Sequence, residues 1–321
     1  MVGEADGALV FAKPVAPFMS STSQNSTDRM AAFAPIVFVW LWGTGFVGAR
    51  LGMPYSEPGT FLTIRFSIAC LLLLALAFAM RAKWPDRATI LWCVAIGFAL
   101  HGIYLGGVFW AIDGGMSAGV AAVVVGLQPL LTAVLSGFLL GEVITRRHWL
   151  GLAVGIAGVV LVLSPGLDLS APGITVATVA ACAIGMVAAT LGTLGQKRFA
   201  GGVDLRVATA LQYAGATIPV ALLMAFTETR EVKWSGEMIV ALVWSIFVLS
   251  FGAVFLLMWL INRGSVAKVS TLLYAVPAVA AFMAWLLFDE ALTPIQLVGM
   301  ALCAVGVALG ARAASPPRVR T

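Results

Sequence analysis

Two stretches decide the fold: QPLLTAVLSGFLLGEVITRRHWLGLAVGIAGVVLVL, residues 128–163, and VPAVAAFMAWLLFDEALTPIQLVGMALCAVGVAL, residues 276–309. A displacement of 148 residues, without a gap, lays Pro129 on Pro277, Glu142 on Glu290, Thr145 on Thr293, Gly151 on Gly299 and Gly158 on Gly306. Just upstream it lays Ser117 on Ser265. Eleven of the 45 positions in 117–161 are identical to their counterparts in 265–309. Shared apolar composition accounts for matches among Leu, Val and Ala. It does not bring Pro, Glu, Thr and Gly into register, so the chain carries an internal repeat.

The rest of the sequence says what is repeated. Of the 321 residues, 61% are hydrophobic and 10% charged, with a mean hydropathy of +1.02. Soluble domains carry about 25% charge and about 45–50% apolar residues, so soluble enzymes and disordered chains are excluded as readings of the whole. The pI near 9.3 does not imply nucleic acid, because the basic residues sit in short loops and form no groove. A membrane-spanning helix needs about 20 apolar residues. Ten runs qualify: 32–50, 57–80, 89–112, 117–140, 148–165, 173–195, 205–226, 238–261, 267–288 and 295–312. They are continuous rather than alternating, which argues against a β-barrel. The chain reads as an all-α polytopic membrane protein. Its four cysteines lie inside these runs without metal-ligand spacing, and two histidines are too few for a metal centre, so neither metal nor cofactor is expected.

Charge gives the orientation. With the N-terminus in the cytoplasm, the inner loops and tails hold fifteen of the 19 Lys and Arg residues, the outer loops hold Arg50, Arg230 and Lys233, and Arg65 lies within a span. Both termini are therefore expected inside, in a multi-pass protein of the cell (inner or plasma) membrane. The two copies of the repeat are separated by five spans, an odd number, so they face opposite ways across the bilayer. TRRH follows Glu142, whereas the uncharged TPIQ follows Glu290. Inverted repeats characterise secondary carriers, which bind substrate near the midplane between the two halves.

The two repeat strings, with VWLWGTGFVGARLG in the first span and TIRFSIACLLL in the second, resemble the EamA branch of the drug/metabolite transporter superfamily over residues 31–312. The resemblance implies ten helices in two inverted five-helix repeats around a central cavity lined by helices 1, 3, 4, 6, 8 and 9. It also implies export of amino acids or related metabolites. Residues 1–30 then read as a disordered cytoplasmic tail, without an apolar region typical of a cleaved leader. Residues 31–168 form the first repeat, 169–312 the second, and 313–321 a short cytoplasmic tail.

Several residues are candidates for function. Arg65 lies about nine residues into its span, where a charge costs roughly 2.5–3.5 kcal/mol unless it faces protein or water. It contacts a substrate carboxylate, or else backbone carbonyls or an interface carboxylate. His101 and Tyr104 are one turn apart on one helix face and suit hydrogen bonding to a polar solute. His101 is also the one mid-span group able to carry a proton at physiological pH. Pro129 and Pro277 fall mid-helix and predict kinks that serve gating, with Gln128 and Tyr274 beside them as substrate contacts. Trp42 and Trp259 are candidate cavity walls. Glu142 and Glu290 end their helices and suit a gate contact, Glu142 with Arg146. The GxxxG pairs, including Gly306 with Gly310, permit close helix packing or a dimer through the tenth helix, so monomer and dimer both remain open.

The function expected is a secondary exporter of amino acids or similar amphipathic metabolites, driven by the substrate gradient or by protons through His101. A nucleotide-sugar or phosphate antiporter would need more cavity cations than Arg65 and Lys268. An intramembrane enzyme lacks a GxSxG string and a second mid-span imidazole, and no Walker A sequence is present. A passive channel would lack saturable exchange. The partners expected are the bilayer and a small-molecule substrate.

Overall fold

The computed structural model describes residues 21–116, 118–166, 173–288 and 292–311. The elements of the described chain are all helices, joined by short loops, two of which pair through an isolated bridge between Ser56 and Val232. Nine of its helices are long and apolar enough to cross a membrane, and a further apolar segment, Phe33–Gly45, lies in the first helix. We number the spans α1 (Ser21–Gly52), α2 (Pro58–Ala79), α3 (Arg87–Asp113) and α4 (Ala118–Val125 with Gln128–Leu140), followed by α5 (Arg146–Leu163). The second half holds α6 (Val176–Phe199), α7 (Leu205–Thr227), α8 (Gly236–Arg263), α9 (Val266–Leu287) and α10 (Pro294–Ala311). The helix of α1 begins at Ser21, ten residues before the first repeat was expected to start.

The repeat is visible in the helix limits. Adding 148 to the ends of α5 gives the ends of α10. Its inversion is visible in the packing. A Cβ placed on Gly151 would fall 2.7 Å from the Gly310 amide nitrogen, and one on Gly158 would fall 2.6 Å from the Cys303 nitrogen. Rising numbers on α5 thus meet falling numbers on α10, and these equivalent helices run antiparallel. The same holds for α2 and α7, where Thr60 meets Glu228, Cys70 meets Ala210 and Met80 meets Arg206. Small residues let the paired backbones approach where lipid and helix are equally apolar. Gly306 and Gly310 are occupied by this internal contact: a Cβ on Gly306 would fall 2.6 Å from Gly155. The GxxxG stripe of α10 therefore packs within the chain rather than presenting a dimer face.

Both repeats depart from regular helix at matching places. Phe98–Ile103 in α3 and Ser245–Ala253 in α8 are π-helical, and the 148-residue displacement carries the first segment inside the second. Such bulges insert a residue into the helical turn and are frequent at functional sites. Breaks also precede both prolines. In α4 the helix stops at Val125 and restarts at Gln128, with the Leu127 amide reaching back only three residues to Val124. In α9 a tighter 3₁₀ turn, Leu272–Ala275, separates Val266–Thr271 from Val276–Phe288. Each proline therefore sits in the first turn of a new helical segment, where its missing N–H costs nothing. The kink expected at each proline takes the form of an interruption just before it.

Carboxylates tie the loops together at one end of the bundle. Glu228 accepts from the Gly59 and Thr60 amides at the start of α2, and Glu57 accepts from the Thr229 and Arg230 amides. The Thr229 amide bond is the main reason the Glu57 carboxyl is held below the usual carboxylate range; burial opposes it, and the Arg230 amide and Thr229 hydroxyl add to it. A depressed folded-state value means that this link is fully present above the ordinary carboxylate pKa and is lost as pH falls through the depressed one. Hydrogen exchange should show the Arg230 amide protected at neutral pH and unprotected in acid. A Glu57→Gln variant should lack that pH dependence.

Candidate substrate cavity

A cavity of about 850 Å³ lies between the two repeats. Its walls come from α1, α3, α4, α6, α8 and α9, with Pro58 and Arg65 of α2 and Val159 of α5 added. Most of the lining is apolar, and a few polar groups converge on it, the usual character of a small-molecule site. It reaches one face of the bundle, where Tyr55, Glu57, Asp113, Glu231 and Lys233 of the loops and helix ends line it.

The structure brings most of the sequence candidates together. Trp42, Arg65, His101, Tyr104, Gln128, Pro129, Tyr274 and Pro277 all line this one cavity. His101 and Gln128 are 3% and 5% exposed, so each presents little more than an edge. The Nε2 atom of His101 is buried without a hydrogen-bond partner, and so is the Tyr274 hydroxyl. An unpaired buried polar atom is costly, about 1–3 kcal/mol, which makes both atoms candidates for bonds formed only when the cavity is filled or rearranged. Tyr274 lies over Gly155 of α5, where even a methyl group would strike its ring.

Arg65 is held rather than free. Its Nε donates to the Ser250 hydroxyl over 3.2 Å, and the Tyr213 hydroxyl donates to the Ser250 carbonyl over 3.3 Å. Tyr213 is the residue that the 148-residue displacement lays on Arg65, so the two equivalent positions of the inverted repeats converge on one residue of the α8 bulge. Gly155 and Cys303, another equivalent pair, meet across α5 and α10. These two meetings mark the pseudo-two-fold axis. Phe66 and His101 surround Tyr213, the former stacked at 5.3 Å. Among the described residues no carboxylate lies within ion-pair distance of Arg65.

The other candidates lie elsewhere. Trp259 is absent from the cavity wall, and its ring carries the Arg263 guanidinium 4.6 Å above it. Glu142 is only 7% exposed, and its partner is not Arg146. Its carboxylate accepts from the Ser265 hydroxyl at 2.7 Å and from the Val266 and Ala267 amides at 2.7 and 3.1 Å. It thus caps the N-terminus of α9, where a negative charge meets unpaired amides and the positive end of the helix dipole. Gly141, in the left-handed conformation at φ +67°, ends α4 and delivers Glu142 to that position. Glu290, its repeat counterpart, lies outside the described residues.

Glu142 belongs to a seal at the end of the bundle away from the cavity mouth. Lys197 donates to the carbonyls of Ile261, Asn262 and Gly264, each at 3.0 Å, and so caps the C-terminus of α8. The short link from α8 to α9 is therefore gripped at both ends, by a cation on one helix terminus and an anion on the next. Behind it, Gln212 donates to Gln196 over 2.6 Å, and Gln196 donates to Asn262 over 3.4 Å. Sequence reasoning named Glu142 as a gate contact but missed its partners at the start of α9, the rest of this seal at Lys197, Gln196, Gln212 and Asn262, and the roles of Tyr213 and Ser250. The repeat contained a signal for Tyr213, since the displacement that pairs the prolines also pairs it with Arg65; Lys197 stood out only as a loop charge. Among the described residues no group of three His, Cys, Asp or Glu side chains is placed to hold a metal ion.

Comparison with known proteins agrees with this architecture. A family model described as the EamA-like transporter family matches residues 29–164 and again residues 176–311. The chain is similar to the uncharacterized transporter YvbV of Bacillus subtilis (strain 168), 26% identical over 299 residues, covering 91% of this chain and 93% of that protein. It is also similar to a protein of Escherichia coli (strain K12) named "Probable amino-acid metabolite efflux pump", 27% identical over 294 residues, covering 87% of this chain and 94% of that one. A solved structure 21% identical in sequence superposes with a TM-score of 0.72 over 87% of this chain and 96% of its own, a likeness of fold.

Proposed function

This chain belongs to the EamA-like transporter family, and from that premise we propose that it exports amino acids or similar small amphipathic metabolites by alternating access. The observation that carries the reading is the cavity between inverted repeats, open at one face and sealed at the other. The similarity to a protein named as an amino-acid metabolite efflux pump supports the substrate class. Basic residues supply the sidedness. Arg81, Lys83, Arg87, Arg146, Arg147, Lys197, Arg198, Arg263 and Lys268 belong to the sealed end, and Arg230 and Lys233 to the open one. The positive-inside rule then puts the sealed end and both termini in the cytoplasm of a cell-membrane protein, and the conformation is outward-open. The cavity is lined by one deep cation, Arg65, and by Lys233 at its mouth, which argues against a doubly anionic phosphate substrate.

Counterflow in proteoliposomes loaded with a panel of amino acids tests the reading. We expect saturable exchange for at least one apolar or aromatic member. His101→Ala and Tyr104→Phe should each weaken it about three- to tenfold, the worth of one hydrogen bond. Flux that is linear in concentration, without counterflow stimulation, would mark a channel instead. Repeating the assay with an imposed pH gradient separates proton-coupled from gradient-driven exchange.

A further inference from the structure

The inverted repeats make the two walls of the cavity comparable position by position, and their chemistry differs. Arg65, His101, Tyr104 and Gln128 of the first repeat correspond to Tyr213, Leu249, Gly252 and Val276 of the second. The guanidinium, the imidazole and the carboxamide that line the cavity all come from the first repeat. Away from the mouth, where Glu231 and Lys233 stand, the second repeat offers only hydroxyls, and the Thr193 hydroxyl is already bonded to the Ala189 carbonyl at 2.7 Å. What it mainly presents is aliphatic: Leu249, Val254, Leu257, Val269, Leu273 and Val276.

The charge is equally one-sided. Arg65 holds a hydroxyl, and among the described residues it faces no carboxylate. The acids that line the cavity, Glu57, Asp113 and Glu231, stand in loops or at a helix end at its mouth. A guanidinium binds a planar carboxylate with two parallel hydrogen bonds, and such a pair is strong where water is scarce. Among the described residues that line the cavity, no carboxylate lies deep enough to meet an ammonium group beside Arg65.

We propose that the cavity takes a monocarboxylate with an apolar body, its carboxylate on Arg65 in the first repeat and its body against α8 and α9 of the second. The α-amino group of an amino acid is then dispensable and the carboxylate is not. This rests on the transport reading above and narrows it from amphipathic metabolites to carboxylates, free or amino-substituted.

The test uses the purified full-length chain and three probes of one shape: phenylalanine, 3-phenylpropionate, which lacks the amine, and phenethylamine, which lacks the carboxylate. Binding is read as a ligand-dependent rise in melting temperature at neutral pH, and as inhibition of amino-acid counterflow in proteoliposomes. Phenylalanine and 3-phenylpropionate should bind within about tenfold of one another, and phenethylamine at least tenfold more weakly. Arg65→Gln should weaken both carboxylates at least tenfold, and Arg65→Lys should recover part of the loss. The wild-type comparison stands even if the Arg65 variants fail to fold. Equal binding of phenethylamine and 3-phenylpropionate, or an Arg65→Gln protein with unchanged affinity, overturns the proposal. If counterflow of the amino-acid panel persists alongside either result, or while 3-phenylpropionate fails to bind, the carboxylate anchor falls and the transport reading stands. If no member of the panel exchanges and no probe binds, both fall.

Discussion

Replacing Gly97 by valine should cost roughly 3 kcal/mol or more and open the crossing of α3 and α7, the largest loss of stability expected from any single added side chain here. A Cβ at Gly97 would lie 1.8 Å from the carbonyl oxygen of Gln212, and one at Gly215 would lie 2.0 Å from the carbonyl oxygen of Val94. The obstacle is backbone in both directions, so no rotamer change relieves it. The helices must separate, and the side chain of Gln212, which reaches Gln196 at 2.6 Å, would be pulled from its partner. Thermal melting of purified protein in detergent measures the effect. Gly236→Ala, where an added Cβ meets nothing within 4 Å, is the neutral control. A Gly97→Val protein that melts with the wild type would show that the α3–α7 crossing tolerates expansion.

The second large effect is conformational. Glu142→Ala removes the acceptor of two backbone amides and a hydroxyl at the start of α9. Loss of an N-cap together with stranded buried donors costs about 3 kcal/mol, which is enough to shift a two-state equilibrium by about two orders of magnitude. The sealed state bears that cost, so the closed end should open far more often. Val269, buried on the cavity wall in the first turns of α9, is a suitable reporter. All four native cysteines are buried, which keeps the background low. A Val269→Cys protein should react slowly with a membrane-impermeant maleimide applied from the sealed side. Adding Glu142→Ala should accelerate that reaction at least tenfold, with Glu142→Gln intermediate because the amide oxygen still accepts. Unchanged labelling would mean that Glu142 only packs the helix end and does not hold the seal.

Much of this architecture was legible because it rests on local or additive properties. Runs of about 20 apolar residues announce spans wherever they occur. The register of Pro129 with Pro277 and Glu142 with Glu290 announced the repeat, and the five intervening spans announced its inversion. Cavity residues were legible where chemistry was unusual for a bilayer, as at Arg65, His101 and Gln128. Trp259 shows the limit. A tryptophan in an apolar helix gives no sign of which way it faces, because lipid and a neighbouring helix are the same solvent to it, and the fold left Trp259 off the cavity wall, beside Arg263 one turn further along its own helix.

The sequence by itself therefore determined how many times the chain crosses, that its halves are equivalent and opposed, and which few polar groups the membrane would have to shelter. Tertiary structure alone decided the rotation of each helix about its axis. That rotation brought Arg65 and Tyr213 to one serine, set Glu142 on the start of α9 rather than beside Arg146, and gave the cavity one polar wall and one aliphatic wall. The physical reason is that helices in a bilayer are oriented by close contact at small residues and by isolated hydrogen bonds between distant segments. Those contacts exist only after the spans have come together.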